Sequence, residues 1–347
     1  MSKKFVILVL FFTGFFGCYR PAIPWKITAY SIVKIEPDEH TRVALNWSGG
    51  PDGKPVNITI IYDLRLDGDT YRWEPVSRTE KWKKVQSLDF AEDGNSLVLA
   101  ADLRTRDIWF WEIDKLPIEF TSNKEIEGDV ALAGDLVVFR KKEGKAHNLF
   151  SKSINGIEGQ RLTNGNSVRW NLKILKTEYG FDVIHNVLNG MNLGISTVSL
   201  SEATPKRILD NPGPEPSFDI AKDKMIYSNE NKWFLCEGEE RPWEGVCKEH
   251  SVSSEFNWTG DVFVLDKGVY GGVVASEASP TTSLLYRDTG RTLTKNYTAD
   301  IKSLKSEGNL LALVLNNPAT GDFFRLEIFD DSGIKSLPPL YPPESVD

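Results

Sequence analysis

The sequence predicts an all-β chain in which one small sheet motif is used many times over. Three observations carry this. Short β-branched and aromatic runs are separated by Asp/Gly/Asn turns, the most apolar of these runs recur at a nearly constant interval, and long helical patterns are absent. About 330 residues follow the amino-terminal leader, enough to bury a large core, and no linker divides them.

The leader comes first. Lys3 and Lys4 precede an unbroken apolar run, Phe5 to Phe12, and Thr13-Gly14-Phe15-Phe16-Gly17 then brings the chain to Cys18. That is the layout of an export signal, too short to span a bilayer as a permanent helix. Gly17-Cys18 resembles the lipobox of bacterial lipoproteins, in which the chain is cut before the cysteine and the cysteine is acylated. Phe15 and Phe16 stand where that motif has Leu and a small residue, a departure similar to the relaxed lipobox of spirochaetal lipoproteins. The resemblance implies a signal peptide over 1–17, a lipidated Cys18, and a tether over 18–25. It also implies an exported protein held by its lipid on the bacterial envelope, at the outer membrane on either its periplasmic or its surface face. An ordinary secretory signal or a single anchor helix is the alternative. The 41 Lys+Arg against 49 Asp+Glu give a net charge of −8, and removing Lys3 and Lys4 leaves 39 against 49, or −10. That sign argues against nucleic acid as a partner and against electrostatic adhesion to anionic lipid.

The clearest repeat unit is Val85 to Lys115: VQSLDF, a turn at AEDGN, SLVLAAD, a turn at LRTRD, then IWFWEIDK. Each run has strand length, and Asp93-Gly94 suits a tight reversal. The second, most apolar strand of each unit is read around Thr59, Val98, Val137, Val183, Ile226, Val273 and Ala312. Successive spacings are 39, 39, 46, 43, 47 and 39, averaging about 42. A repeat of that length with three or four antiparallel strands is the signature of a propeller blade, and the spacing predicts seven blades over 26–336. Lys26 to Lys34 precedes the first repeat and is expected to be an early strand that completes the last blade, or else a free leading strand or spacer. The Pro-rich segment 337–347 reads as a tail.

Pro51-Asp52-Gly53-Lys54 and Glu92-Asp93-Gly94, each before an apolar strand, look like the turn of the WD40-like repeats in TolB-type propellers. Asp107-Ile108-Trp109 is similar to their third strand. Arg161-Leu162-Thr163-Asn164-Gly165 and Arg291-Thr292-Leu293-Thr294 are similar to the segment that opens the next blade. The resemblance implies the propeller fold. Nothing resembles the separate amino-terminal domain of TolB, so its role does not carry over.

Chemistry is sparse. The four His, at 40, 147, 185 and 250, stand in unrelated contexts, and HExxH, CxxC, GxxxxGK[ST] and GxSxG are all missing. Asp63, Asp67 and Asp69 look superficially like a calcium loop but lack the closing Glu of an EF-hand, so an Asp-Gly turn is preferred. No metal and no cofactor is expected. The four N-x-[ST] sequons, at Asn46, Asn57, Asn257 and Asn296, carry no sugar if the exporter is bacterial. Cys236 and Cys247 are eleven residues apart and form a disulfide candidate in an oxidising compartment, with 237–246 as a hairpin tip. Two separately buried thiols are the alternative. Trp109 and Trp111 alternate with Phe110, a pattern that suits packing between blades. Trp243 and Arg241 lie in the acidic 237–246 loop and are candidate anchors for a partner. Asp89, Arg169, Asp219 and Lys302 are candidate channel-lining residues.

The functional expectation is a lipid-anchored propeller acting as a non-catalytic binding platform for an unidentified envelope or host protein. The alternatives are a channel-site enzyme of lyase, lactonase or glycosidase type, and a sugar- or peptidoglycan-binding propeller.

Overall fold

The computed structural model describes residues 22–343 except for 36–39, 51–54, 68–69, 103–105, 123–124, 157–158, 202–203, 212–216, 230–231, 252, 277–278, 280, 289 and 332. The leader, Cys18 and the Pro51–Lys54 turn lie outside the described residues.

The described residues hold twenty-eight strands that pair, in chain order, as consecutive antiparallel runs of four. Five runs are separate four-stranded sheets. The first four and the last four strands share an eight-stranded sheet, joined where Ile23–Ile35 meets Gly321–Asp330 in one parallel pair, Trp25 with Gly321. The first strand of every run is the innermost: Ile23–Ile35, Lys84–Phe90, Glu127–Ala133, Val168–Thr177, Phe218–Ala221, Phe256–Val264 and Asp300–Glu307.

The core lies between the faces of successive runs rather than inside any one of them. Period-two alternation sends neighbouring residues of a middle strand to opposite neighbours. Leu311, Leu313 and Leu315 pack on Phe263 and Leu284 of the preceding run, whereas Leu310, Ala312 and Val314 pack on Val43, Leu45 and Trp47 of the first. A strand buried on both faces has no polar side, which is why these segments read as continuous apolar runs in the sequence. Trp109 and Trp111 lie edge-on to Trp82 at 6.2 and 6.0 Å in the cluster shared with the first run, and Phe110 faces the third. The aromatic alternation therefore serves packing between runs.

Two corrections to the expected phase follow. The Thr59 strand, Val56–Asp67, is the third strand of its run, because His40–Gly50 is the second. The first run has strands of 10 to 13 residues, against 7, 7, 7 and 2 in the second, so its apolar maximum falls one strand late. The early strand over 26–34 does not complete the last run. It pairs with Thr41–Gly50 as the innermost strand of the first, and the last run takes its fourth strand, Gly333–Ser336, from the carboxyl-terminal side.

The seam between the two ends of the chain is sealed in other ways. Gly321 has a positive φ of 92°, and a Cβ there would stand 2.5 Å from the Trp25 carbonyl oxygen, so only glycine allows the approach. The described part of the Pro-rich tail, up to residue 343, takes part in the seal. Leu337 and Leu340 are buried with Tyr30 and Phe324, Leu340 exchanges both backbone hydrogen bonds with Phe324, and Trp73 Nε1 donates to the Pro338 carbonyl at 2.8 Å.

Candidate functional site in the central channel

The innermost strands together enclose a channel of about 530 Å³. Its polar lining is set by irregularities that no sequence pattern announces. In several runs the innermost strand slips register against the second, leaving a bulged residue between paired ones. A bulge re-aims its side chain. Thr28, Gln86, Asp129 and Asn171 are such residues, and all line the channel. Asp129 and Asn171 take left-handed φ of 42° and 55°, which short polar side chains tolerate better than other residues.

A second device ties the runs to one another around the channel. In Ser87-Leu88-Asp89, Ser87 Oγ accepts the Val130 N–H at 3.2 Å and Asp89 accepts that of Leu132 at 2.9 Å. In Ser217-Phe218-Asp219 the same roles fall to Val262 at 3.3 Å and Val264 at 2.9 Å. Asp261 accepts from Leu304 at 3.3 Å. The Ser-x-Asp spacing puts both acceptors on one side of a strand, facing alternate amides of the next innermost strand. These carboxylates are structural staples before they are anything else. The spacing was visible in the sequence; its meaning needed the neighbouring strand.

Above the bulges the channel carries a mixed-charge node. Asp219 takes Lys173 as an ion pair and also accepts the Ser306 hydroxyl. Ser306 belongs to the last run, two runs further on, so the polar contact crosses the channel. Lys305 donates to the Tyr30 carbonyl at 2.7 Å, with its ammonium 5.1 Å from the Tyr30 ring. Burial pushes the Lys305 ammonium below its ordinary range while Asp89 pulls it back; burial pushes Asp89 up while Lys305 and its hydrogen bonds oppose it. Glu307 is open to the channel space by surface area, yet protein atoms crowd it. That crowding, then the Asp89 charge, moves its carboxyl up to about 7. It has no ion pair among the described residues, so one carboxyl in this node changes charge near neutrality.

The candidate residues from the sequence fall in different places. Asp89 and Asp219 line the channel; Arg169 and Lys302 do not. Arg169 is buried against the third run, donating to Asn148 Oδ1 at 3.0 Å and to the Asn164 carbonyl at 3.2 Å. Lys302 pairs with Asp322 at 2.6 Å. Lys173, Lys305 and Glu307, which complete the node, carried no distinguishing signal in the sequence. Asp63 is buried and takes the fork of Arg42 at 2.6 and 2.9 Å, while Asp69 lies outside the described residues. Among the described residues, no group of three His, Cys, Asp or Glu side chains is arranged to hold a metal ion. His185 is fully buried, and desolvation takes its pKa down to about 3.

Cys236 and Cys247 are cross-strand partners joined by a disulfide. The loop between them contains the short 3₁₀ turn Pro242–Glu244. Arg241 and Trp243, the candidate partner anchors, are half-buried and each has a partner within the chain. Arg241 forms a bidentate pair with buried Asp182 at 2.7 and 3.3 Å, and Trp243 packs on the cluster of Ile184, Ile195, Met225 and Cys236. The loop folds back because that cluster lies between two runs and needs a cover.

No protein-family model matches the chain, and no curated protein matches it. Solved structures do. The β-propeller domain of the trilobed protease from Pyrococcus furiosus, described as having an open velcro topology, aligns with TM-score 0.56 and 11% identity over 92% of this chain and 100% of that one. The acylaminoacyl peptidase of Pyrococcus horikoshii aligns with TM-score 0.59 and 10% identity over 92% of this chain and 53% of that one. Puromycin hydrolase aligns with TM-score 0.64 and 11% identity over 95% and 55%. The chain thus spans about half the length of the latter two. These similarities overturn the expectation of a lipid-anchored binding platform and its lyase or sugar-binding alternatives. The neighbours include peptidases and the propeller domain of a protease, and nothing in them supports a lipoprotein role. At such low identity the likeness establishes architecture, and that architecture is an all-β propeller.

Proposed function

We propose that this chain is a peptidase-related propeller whose central channel receives short peptides for hydrolysis by a separate catalytic domain or chain. The observation that carries the reading is the mixed-charge node in a channel of about 530 Å³, inside a fold whose neighbours include peptidase propellers. Backbone amides and both peptide termini find donors and acceptors on such a wall. The chain has no GxSxG segment, so in this reading it contributes reception and the nucleophile lies elsewhere.

A plug tests this. Glu307 is exposed to the channel, so Glu307→Trp narrows the bore while leaving the packed faces alone. Anisotropy of fluorescein-labelled unstructured peptides is expected to show uptake by the unmodified protein and its loss in Glu307→Trp, whose melting temperature is no lower than the native one. Equal binding by both proteins, or none by the unmodified one, rejects the channel reading.

In the same reading the twenty-eight strands make seven blades, with the eight-stranded sheet counted as the first and last blades side by side. An experimental structure with six or eight sheets around the axis rejects that count. Export belongs to the proposal too: the Lys3–Cys18 layout and a cross-strand cysteine pair both suit an oxidising compartment. Recovery from cells of protein that retains Met1 and carries free thiols argues against it.

A further inference from the structure

A second polar site, sharing no lining residue with the channel, is an open groove of about 650 Å³ between the fifth and sixth runs. Arg287 and Thr292 of the sixth run, cross-strand partners, line it, and Tyr270 is the partner of Arg287 on the other side. The outer strand of the fifth run, Val246–Ser251, brings His250 across from them. Arg287 donates to His250 Nδ1 at 2.6 Å, and the other ring nitrogen lies 3.3 Å from the Tyr270 hydroxyl. An imidazole that accepts from a guanidinium at Nδ1 is neutral, with its proton on Nε2. Burial first, and then the Arg287 and Lys248 charges, hold the His250 pKa below its usual range.

The charge of Arg287 is therefore met only by neutral groups. Among the described residues it has no carboxylate partner, and its Nε is buried without an acceptor. Glu249, on the rim, is already paired with Lys232 at 2.8 Å. Glu255 is the remaining rim carboxylate. Beside the cation, half-buried Phe256 and the edges of the buried Trp233 and Leu285 form an apolar wall.

We propose that this groove binds a small carboxylate with an apolar body, the guanidinium fork of Arg287 taking the carboxylate and the wall taking the body. The planar fork matches a carboxylate in two hydrogen bonds, which a bare ammonium does not do. The site does not depend on the channel reading.

The test is an NMR titration of His250 in the full chain with phenylacetate, run beside phenylacetamide and inorganic phosphate. Phenylacetate is expected to bind and to raise the His250 pKa, because a negative charge beside the imidazole favours its protonated form. Phenylacetamide should leave that pKa in place, and phosphate should bind more weakly for want of an apolar body. Arg287→Gln is expected to weaken phenylacetate about tenfold or more, the scale of a lost hydrogen bond to a charged group. Glu255→Gln, on the exposed rim, should tighten it and serves if Arg287→Gln does not fold. An unmoved His250 pKa, an equal response to phenylacetamide or phosphate, or unchanged affinity in Glu255→Gln overturns the proposal.

Discussion

Arg241→Ala is the sharpest test of how the disulfide loop is held. Asp182, with 2% of its side chain exposed, receives Nε of Arg241 at 2.7 Å and Nη2 at 3.3 Å. Removing the guanidinium leaves a carboxylate in a desolvated site without its bidentate partner, and Lys206, which lines the same pocket, does not pair with it in the folded chain. Breaking a buried pair in this way costs about 3–5 kcal/mol. Arg241 is itself 18% exposed, so water reaches the site from the vacated side, and the expected loss is about 3 kcal/mol, at the low end. With a urea slope of about 3 kcal/mol/M, the unfolding midpoint falls by about 1 M. The double variant Arg241→Met, Asp182→Leu has no orphaned charge and should recover most of the loss, as replacement of buried pairs by apolar residues generally does. Tryptophan fluorescence through a urea series, on the native protein, Arg241→Met, Asp182→Leu and their double variant, separates the pair from the residues. An Arg241→Ala protein that unfolds at the native midpoint would refute the reasoning and leave Arg241 available to a partner.

Three further outcomes follow from the same geometry. Glu307 titrates near 7 when folded and near the ordinary glutamate value when unfolded, so between those values the folded state holds the extra proton and stability falls as pH rises. Glu307→Gln should therefore match the native melting temperature near pH 4.5 and exceed it at pH 8; equal temperatures at both pH values count against this. His185 works in the opposite sense, because its folded pKa of about 3 lies below the unfolded one, and stability is lost as pH falls from about 6.5. At about 1.4 kcal/mol per pH unit the loss reaches about 2–3 kcal/mol by pH 4.5, and His185→Gln should flatten that slope in a pH series of urea midpoints. Leu340→Ala, at the seam, should cost about 2–3 kcal/mol by the burial of its side chain. It should also speed amide exchange at Phe324, whereas an unchanged exchange rate would show that the tail does not hold the ends together.

The sequence by itself determined what is local. Strand length, turn chemistry and the double-faced apolar character of segments such as Asn309–Leu315 are properties of neighbouring residues, and they are enough to announce a repeated all-β fold. The alternation of Trp109, Phe110 and Trp111 likewise told which residues pack, because period two is built into the strand. The tertiary structure alone decided the rest. Which strand leads the first run depends on the partner of His40–Gly50, and long strands hid that from a spacing count. Channel composition depends on bulges, whose register shifts exist only between two strands, so Asp129 and Asn171 could not be told from turn residues. Asp89 and Asp219 read as channel-lining residues, and only the amides of the next run show that they also staple neighbouring strands. Arg241 and Trp243 looked like offered side chains because their loop is polar; Asp182 and the Ile184 cluster, some 60 residues away, bind them instead. Such contacts join residues far apart in the chain, and their burial energy appears only once the runs have met.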